Sequence, residues 1–441
     1  MHILGGDILK QIKNKYFLFC FLFALLCGCG RQTSSDYYAL PRNATDDAQL
    51  SSLLASELDA GYEYAAPLSG ERRQPLQLID LDNDGQEELL AFLRNRSTES
   101  CRIEIFDPTD DGYSPVLLLE GKGSALSAVD CADLTGDGTM ELVCAWSCGA
   151  ELNLLYVYDL RSWGGEVLLT DSCTEFLCSD LSGDKVDELI SVSLAGSDPG
   201  LSTFSFPVLD DSAKLTAPLS KGIAECVRIR GCTLEGNTPG VLVESYLESG
   251  ELVSDLFSLL DGKLYNITLE QKVGVSRTKR SYAVMAADID GDHFLEIPIS
   301  ASLYAQESGD HYRYLSWVGF NRYGFSVIKQ ETYHCFVDGW YFVLPQGWSD
   351  TLTVRRENST AGERCVILSD VDRYTGKITD KLIIYTLTGE NRHERSTADG
   401  RFVLCEDETT VYAAKVFTGI SRSDVTPRFH LIYSEWMRDS L

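Results

Sequence analysis

"LIDLDNDGQEELLAFL", residues 78–93, sets Asp80, Asp82, Asp84, Glu87 and Glu88 within nine positions, between two apolar runs. Two like charges ~5 Å apart repel by roughly 3 kcal/mol at an effective dielectric near 20. A cluster of this kind beside a buried segment needs either full solvation or a counter-charge. The stretch recurs: "DLDNDGQEEL" starts at Asp80, "DLTGDGTMEL" at Asp133, "DLSGDKVDEL" at Asp180 and "DIDGDHFLEI" at Asp288. The steps are 53, 47 and 108 residues, the last about twice the repeat length, which predicts a further copy near residue 233. "TLEGNTPGVL", from Thr233, keeps Gly236 and Leu242 but lacks the acidic set.

A period near fifty residues with several short strands per unit is the pattern of propeller-like arrays. After Glu141 come "LVCAW", "LNLLYVYDL", a Trp-Gly-Gly turn and "EVLLTD", which read as strands. "ALSAVDCA", "TEFLCS" and "YAVMAA", ahead of the second, third and fifth loops, are candidate innermost strands. Within the loop, oxygens at positions 1, 3 and 5, a carbonyl at 7 and a carboxylate at 9, with glycine at 6 for a sharp turn, are the hard-oxygen set that suits calcium. An EF-hand opens alike but closes on a bidentate Glu at position 12 and enters a helix. Here position 12 is Ala91, Cys144, Ser191 or Ile299, and strand-like sequence follows, so the EF-hand reading fails.

The repeated D-x-D-x-D-G-x-x-E-L pattern resembles the FG-GAP (VCBS-type) repeats of integrin-α-like β-propellers, over roughly residues 60–335. The resemblance implies a calcium ion in each loop, on one face of the propeller. Carried over by position, the ligand sets are unequal. Asp80, Asp82, Asp84 and Glu88, and Asp288, Asp290, Asp292 and Glu296, supply four carboxylates each, so residues 80–88 and 288–296 are expected to bind most strongly. Asp133, Thr135, Asp137 and Glu141 include a hydroxyl, and Asp180, Ser182, Asp184 and Glu188 sit beside Lys185 in place of the glycine. Lysine there is expected at positive φ, at a cost of about 1 kcal/mol. The alternative for all of these loops is a solvated acidic turn.

The first thirty residues read as an address. Lys10, Lys13 and Lys15 precede the apolar run Tyr16 to Leu26, which is too short to span a bilayer comfortably. "LCGC" follows, and Gly28 before Cys29 resembles the lipobox of bacterial lipoproteins, which implies cleavage before Cys29 and a lipid on its thiol. The expected organisation is a lipoprotein signal peptide over 1–28, a lipid-anchored tether and short helix over 29–59, the FG-GAP/VCBS-like propeller over 60–335, and an α+β domain over 336–441. The tether's polar residues reach about 60 Å if extended. The implied location is the cell membrane, on its extracytoplasmic face.

From Phe336 the pattern changes to five or six antiparallel strands with polar turns, and "YFVLPQGW" is similar to the opening strand of PsbP-like domains. Thr426 and Pro427 are placed to start a closing helix bearing Phe429, Ile432, Tyr433, Trp436 and Met437 on one face. The expected fold class is therefore mostly β: a β-propeller of about five blades, with six or seven open, followed by a small α+β domain with an antiparallel sheet and a C-terminal helix.

A net charge of −28 argues against nucleic acid and anionic lipid as partners. Of 14 cysteines, 11 follow Cys29, mostly in apolar company and without paired zinc spacing, so buried thiols are favoured over a disulfide framework. No nucleophile elbow, Walker loop, H-E-x-x-H or dinucleotide fingerprint appears, and the six histidines are scattered. The aromatic stretch Gly309 to Phe325 reads as a blade strand rather than a sugar platform. The favoured function is a non-catalytic, lipid-anchored binding or scaffold protein with a calcium-stabilised propeller. Its partner, a protein or a cell-wall glycan, is not specified. The alternatives are a polysaccharide lyase or hydrolase on a propeller scaffold, or an envelope or sporulation assembly factor. Catalysis is left open, and no catalytic residue is nominated.

Overall fold

The computed structural model describes residues 54–55 and 58–432, except 111, 150–151, 196–198, 207–213, 304–312 and 418. The signal segment, Cys29 and the tether up to residue 53 lie outside the described residues. The chain is mostly β and divides into two compact units, Met1–Leu126 and Ser127–Leu441.

In the first unit one sheet dominates. Tyr62–Tyr64 and Leu76–Ile79 lie end to end along Glu88–Asn95, which pairs on its other side with Cys101–Thr109, and that with Gly112–Glu120. Leu54, Leu76, Leu89, Ala91 and Phe106 form its core.

The second unit repeats the same meander. The second sheet runs Ala125–Ala132, Glu141–Ser147, Asn153–Asp159, Glu166–Cys173 (its first two residues precede the unit boundary). The third runs Glu175–Ser179, Glu188–Ser193, Gly200–Phe204, Lys214–Pro218, and the fourth Ile223–Leu234, Thr238–Leu247, Leu252–Leu260, Lys263–Asn266. Each is a four-stranded antiparallel sheet in sequence order, the unit from which propellers are built.

Burial explains the sequence pattern along these strands. The strand that follows each of the first three acidic loops is buried on both faces: Glu88 to Leu93, Glu141 to Trp146 and Glu188 to Val192. That is why it reads as an unbroken apolar run. After the fifth loop, burial covers only Glu296 to Pro298. The last strands are more exposed; in Glu166–Cys173 only Cys173 is buried.

The fifth sheet departs from the expected arrangement. "YAVMAA" forms no strand; only Ala287 bridges to Glu296. The sheet is Glu296–Ser302, Arg313–Phe320, Ser326–Cys335, Trp340–Val343 and, from the far end of the chain, Phe429–Leu431. The boundary expected at 335 therefore falls between two paired strands of one sheet.

A sixth sheet orders Leu352–Thr360, Glu363–Val371, Ile378–Thr388, Thr410–Val416 and Phe402–Glu406. Its inner face (Leu352, Val366, Leu368, Leu382, Ile384, Tyr412) shares one core with Tyr333, Trp340, Phe342 and Phe429 of the fifth sheet. The helix expected from Thr426 is also displaced. Ser421 caps a single helical turn, Arg422–Val425, through a reciprocal bond pair with Asp424, and a 3-10 turn follows at Thr426–Arg428. Phe429 is then drawn against Trp340 and Tyr412, each at 5.6 Å between ring centroids, and the chain becomes a strand. Tyr433, Trp436 and Met437 lie outside the described residues. A further short helix is Arg392–Thr397.

Candidate metal centres

The acidic loops share one construction. Position 9, the glutamate, is the first residue of the buried strand: Glu88, Glu141 and Glu296 are fully buried and Glu188 is 7 % exposed. One oxygen of each reaches back to the backbone N–H of position 2. Leu81, Leu134, Leu181 and Ile289 donate to Oε2 of Glu88, Glu141, Glu188 and Glu296 at 2.6, 2.8, 2.8 and 3.1 Å. The apolar residue at position 2 is thus held beside the core, fully buried as leucine in the first two loops and nearly so in the third.

Position 1 curls the loop. Asp288 accepts from the N–H groups of Gly291 (2.7 Å), Asp292 (3.1 Å) and His293 (2.9 Å), and Asp133 and Asp180 accept from the equivalent three. Asp80 keeps only the bond from Gly85, at 3.1 Å. The tight curl puts two positions of each loop in the left-handed region. Position 6 is expected there from the sequence, and Gly85, Gly138, Lys185 (φ 78°) and His293 (φ 71°) occupy it. Position 4 joins it, at Asn83, Gly136, Gly183 and Gly291.

Two of the loops bring carboxylates together. One oxygen from each of Asp288, Asp290, Asp292 and Glu296 lies within 4.8 Å of the others, and so do oxygens of Asp80, Asp82 and Glu88. Asp84 stands apart from the first group and takes the backbone and side-chain N–H of Gln86, at 2.8 and 3.1 Å. Oxygens that share one calcium ion at 2.3–2.6 Å are at most about 5 Å apart, so both groups have the right span. Glu88 Oε1, Asp80 Oδ1 and Glu296 Oε1 are buried with no hydrogen-bond donor. Burial, with the neighbouring aspartates adding to it, pushes the carboxyls of Glu88 and Glu296 up to about 7. A buried acceptor left without a donor costs free energy, and a cation between the carboxylates would remove that deficit. The residues present therefore fit a hard dication.

The second and third loops are satisfied in other ways. In the second, Thr135 Oγ1 lies 3.3 Å from Glu141 Oε1, the backbone N–H groups of Leu134 and Thr135 both reach Oε2, and Asp137 pairs with Arg161 at 3.3 Å. Burial still pushes Glu141 up to about 7. In the third, Leu181 and Ser182 donate to Glu188 while Asp180 is spent on the loop backbone. Among the described residues, no group of three or more acids converges in either loop as it does in the first and fifth.

At the degenerate copy the ladder runs through to a tight turn between Leu234 and Thr238, with Thr233 opposite Pro239. Position 3 of this copy is Glu235, an acid the sequence reading passed over. It lies 2.6 Å from Lys329 Nζ, which is also 2.8 Å from Asp292 of the fifth loop. Lys329 belongs to no motif, and only the fold brings it there.

Beside the fifth loop lies an open hollow of about 310 Å³, lined by residues that include Gln330, Tyr341, Arg428 and His430. His334, Tyr341 and His430 stack across three neighbouring strands at 5.2 and 4.8 Å, and burial lowers His334 to about 3, so it is neutral at any physiological pH. His293 is exposed. Val318 and Phe320, from the aromatic stretch, are core residues.

No protein-family model matches the sequence, and no curated protein matches it. Among solved structures, BBS1N in complex with ARL6DN is 10 % identical at a TM-score of 0.30, over 82 % of this chain and 97 % of that one. The Dos1 propeller is 10 % identical at 0.29, over 80 % and 81 %. A protein from Lactobacillus plantarum is 12 % identical at 0.27, over 71 % and 85 %. Likenesses this slight carry no argument about fold or function, so the reading of the sheets as blades rests on their topology and spacing.

Proposed function

We propose that this chain is an extracytoplasmic, lipid-anchored binding or scaffold protein whose blades are held by calcium at the loops of residues 80–88 and 288–296. The observation that carries the metal part is the pair of buried, donor-less glutamate oxygens, Glu88 Oε1 and Glu296 Oε1, each inside a group of carboxylates of ion-sized span. The recurring loop pattern, which resembles FG-GAP (VCBS-type) repeats, supports calcium as the ion. The second and third loops are assigned weaker binding or none, because among the described residues no three of their acids converge as those of the first and fifth loops do. The anchor rests on the sequence around Cys29 alone, and the non-catalytic role on the sequence alone, which carries none of the catalytic motifs sought in it.

Calcium bound at equilibrium, measured by dialysis of the chain from Asp36 onward, tests the metal part. Two ions are expected, falling to one in Glu88→Gln and to none when Glu296→Gln is added. Unchanged stoichiometry in the double variant would overturn the assignment. For the anchor, Cys29→Ser is expected to move the protein from the membrane to the soluble fraction, and full membrane retention would contradict it.

A further inference from the structure

We infer that Lys329 is a built-in competitor for the cation at the fifth loop, with Glu235 of the degenerate fourth copy as the partner that receives it when the ion binds. The inference rests on the calcium reading of that loop and concerns what sets its affinity.

The geometry is specific. Lys329 Nζ lies 2.8 Å from Asp292 Oδ2 and 2.6 Å from Glu235 Oε1, and its side chain is only 19 % exposed. The other oxygen of Asp292 accepts the Phe294 N–H at 2.9 Å, so both oxygens of this position-5 carboxylate are engaged before any ion arrives. In the first loop the position-5 acid, Asp84, takes its donors from the neutral Gln86, and among the described residues no lysine or arginine pairs with Asp80, Asp82, Asp84 or Glu88.

Glu235 is fixed beside the fifth loop by backbone bonds that do not involve the acids. Its N–H donates to Phe320 O, and the Leu295 N–H donates to Thr233 O, both at 2.9 Å. Gly319, opposite Glu296 in the ladder, makes the room, because a Cβ there would collide with the Glu235 carboxylate. A dication drawing on Asp292 would lie within a few ångströms of the ammonium. That is well inside the ~8 Å screening length at physiological ionic strength, so salt does not remove the repulsion. The ammonium must leave Asp292, and Glu235 lets it do so without losing its counter-charge. The retained acid of an otherwise degenerate copy thereby gains a role: it tunes its neighbour's ion site.

The test is a calcium titration by calorimetry of the full chain in detergent, carrying Glu88→Gln so that only the fifth loop reports. Lys329→Met removes the ammonium, and with it the contact 5.4 Å from the centre of the Phe294 ring, and is expected to tighten calcium binding by about ten-fold or more. Lys329→Gln is expected to do the same, which guards against a packing artefact of methionine. Glu235→Gln is expected to weaken binding, and to have no effect once Lys329 is methionine, since it acts through the lysine; a purely long-range field would add instead. Equal or weaker binding in both Lys329 variants, or full additivity with Glu235→Gln, would overturn the inference while leaving the metal site intact. Absence of calcium binding in every variant would instead overturn the metal reading, and the inference with it.

Discussion

Lys185 shows how a single residue reports on its loop. It holds φ at 78°, where the first two loops place Gly85 and Gly138, and its N–H is 2.9 Å from Asp180 Oδ2. A side chain in the left-handed region carries a penalty of about 1 kcal/mol that glycine avoids. Lys185→Gly should therefore raise stability by roughly that amount in urea unfolding, without creating a strong ion site, because among the described residues no three acids of that loop converge. A loss of stability would mean the lysine ammonium has a partner that outweighs its backbone strain. The position-9 glutamates were legible in the sequence only as proposed calcium ligands. The bond that their Oε2 accepts from the N–H of position 2 was not legible, because it depends on the loop closing on itself.

At the scale of elements, the repeats were readable because each of the first three acidic loops precedes a strand buried on both faces, and burial forces an apolar run after a fixed motif. The meander of each blade follows from that run and the turns around it. The fifth sheet was not readable, because its closing strands come from distant sequence. Trp340–Val343 follows a change in pattern at Phe336, and Phe429–Leu431 carries apolar spacing that suits a helix as well as a strand. What decides is the core shared with the sixth sheet, into which Trp340, Phe342 and Phe429 insert. Two outcomes follow. Trp340→Ala should cost 3–5 kcal/mol, as is usual for a fully buried tryptophan. A chain ending at residue 335 should lack a cooperative melt for its fifth sheet, since two strands and the cover over Tyr333 are lost. Circular dichroism melts of both would show it, and a truncated chain as stable as the whole would contradict the shared core.

For the whole molecule, the acidic balance couples stability to pH and to cations. Glu88, Glu141 and Glu296 are each pushed up to about 7, while the unfolded chain releases those protons near 4.5. Between these values the folded state holds more protons than the unfolded one, so in a chelator stability should fall as pH rises from about 5 to 7 and then level off. His334, lowered to about 3, acts in the opposite sense below 6.5, as does His430, but burial also raises Glu175, Asp187, Glu188 and Asp255, so the raised carboxyls outnumber them. With calcium the sign at Glu88 and Glu296 reverses, because the ion holds the charged form, and the gain from calcium should shrink as pH drops through 7. Thermal midpoints at pH 5.5 and 8, with and without chelator, check both halves.

The most direct measurement is the thermal midpoint of the chain from Asp36 to Leu441 in millimolar calcium and in chelator, for the parent and for Glu88→Gln and Glu296→Gln. Glutamine keeps one oxygen as acceptor for the N–H of Leu81 or Ile289 and replaces the other with a neutral amide NH2, whereas an alanine at Asp288 would also release three loop N–H groups. An ion at 100 times its Kd adds about 2.7 kcal/mol per site. The metal reading predicts a clear calcium-dependent rise in the parent and a smaller one in each variant. In chelator the variants should be as stable as the parent or more so, since each relieves a buried, donor-less carboxylate. Midpoints indifferent to calcium, with both variants melting below the parent in chelator, would contradict it and leave the loops as acidic turns held by their own backbone bonds.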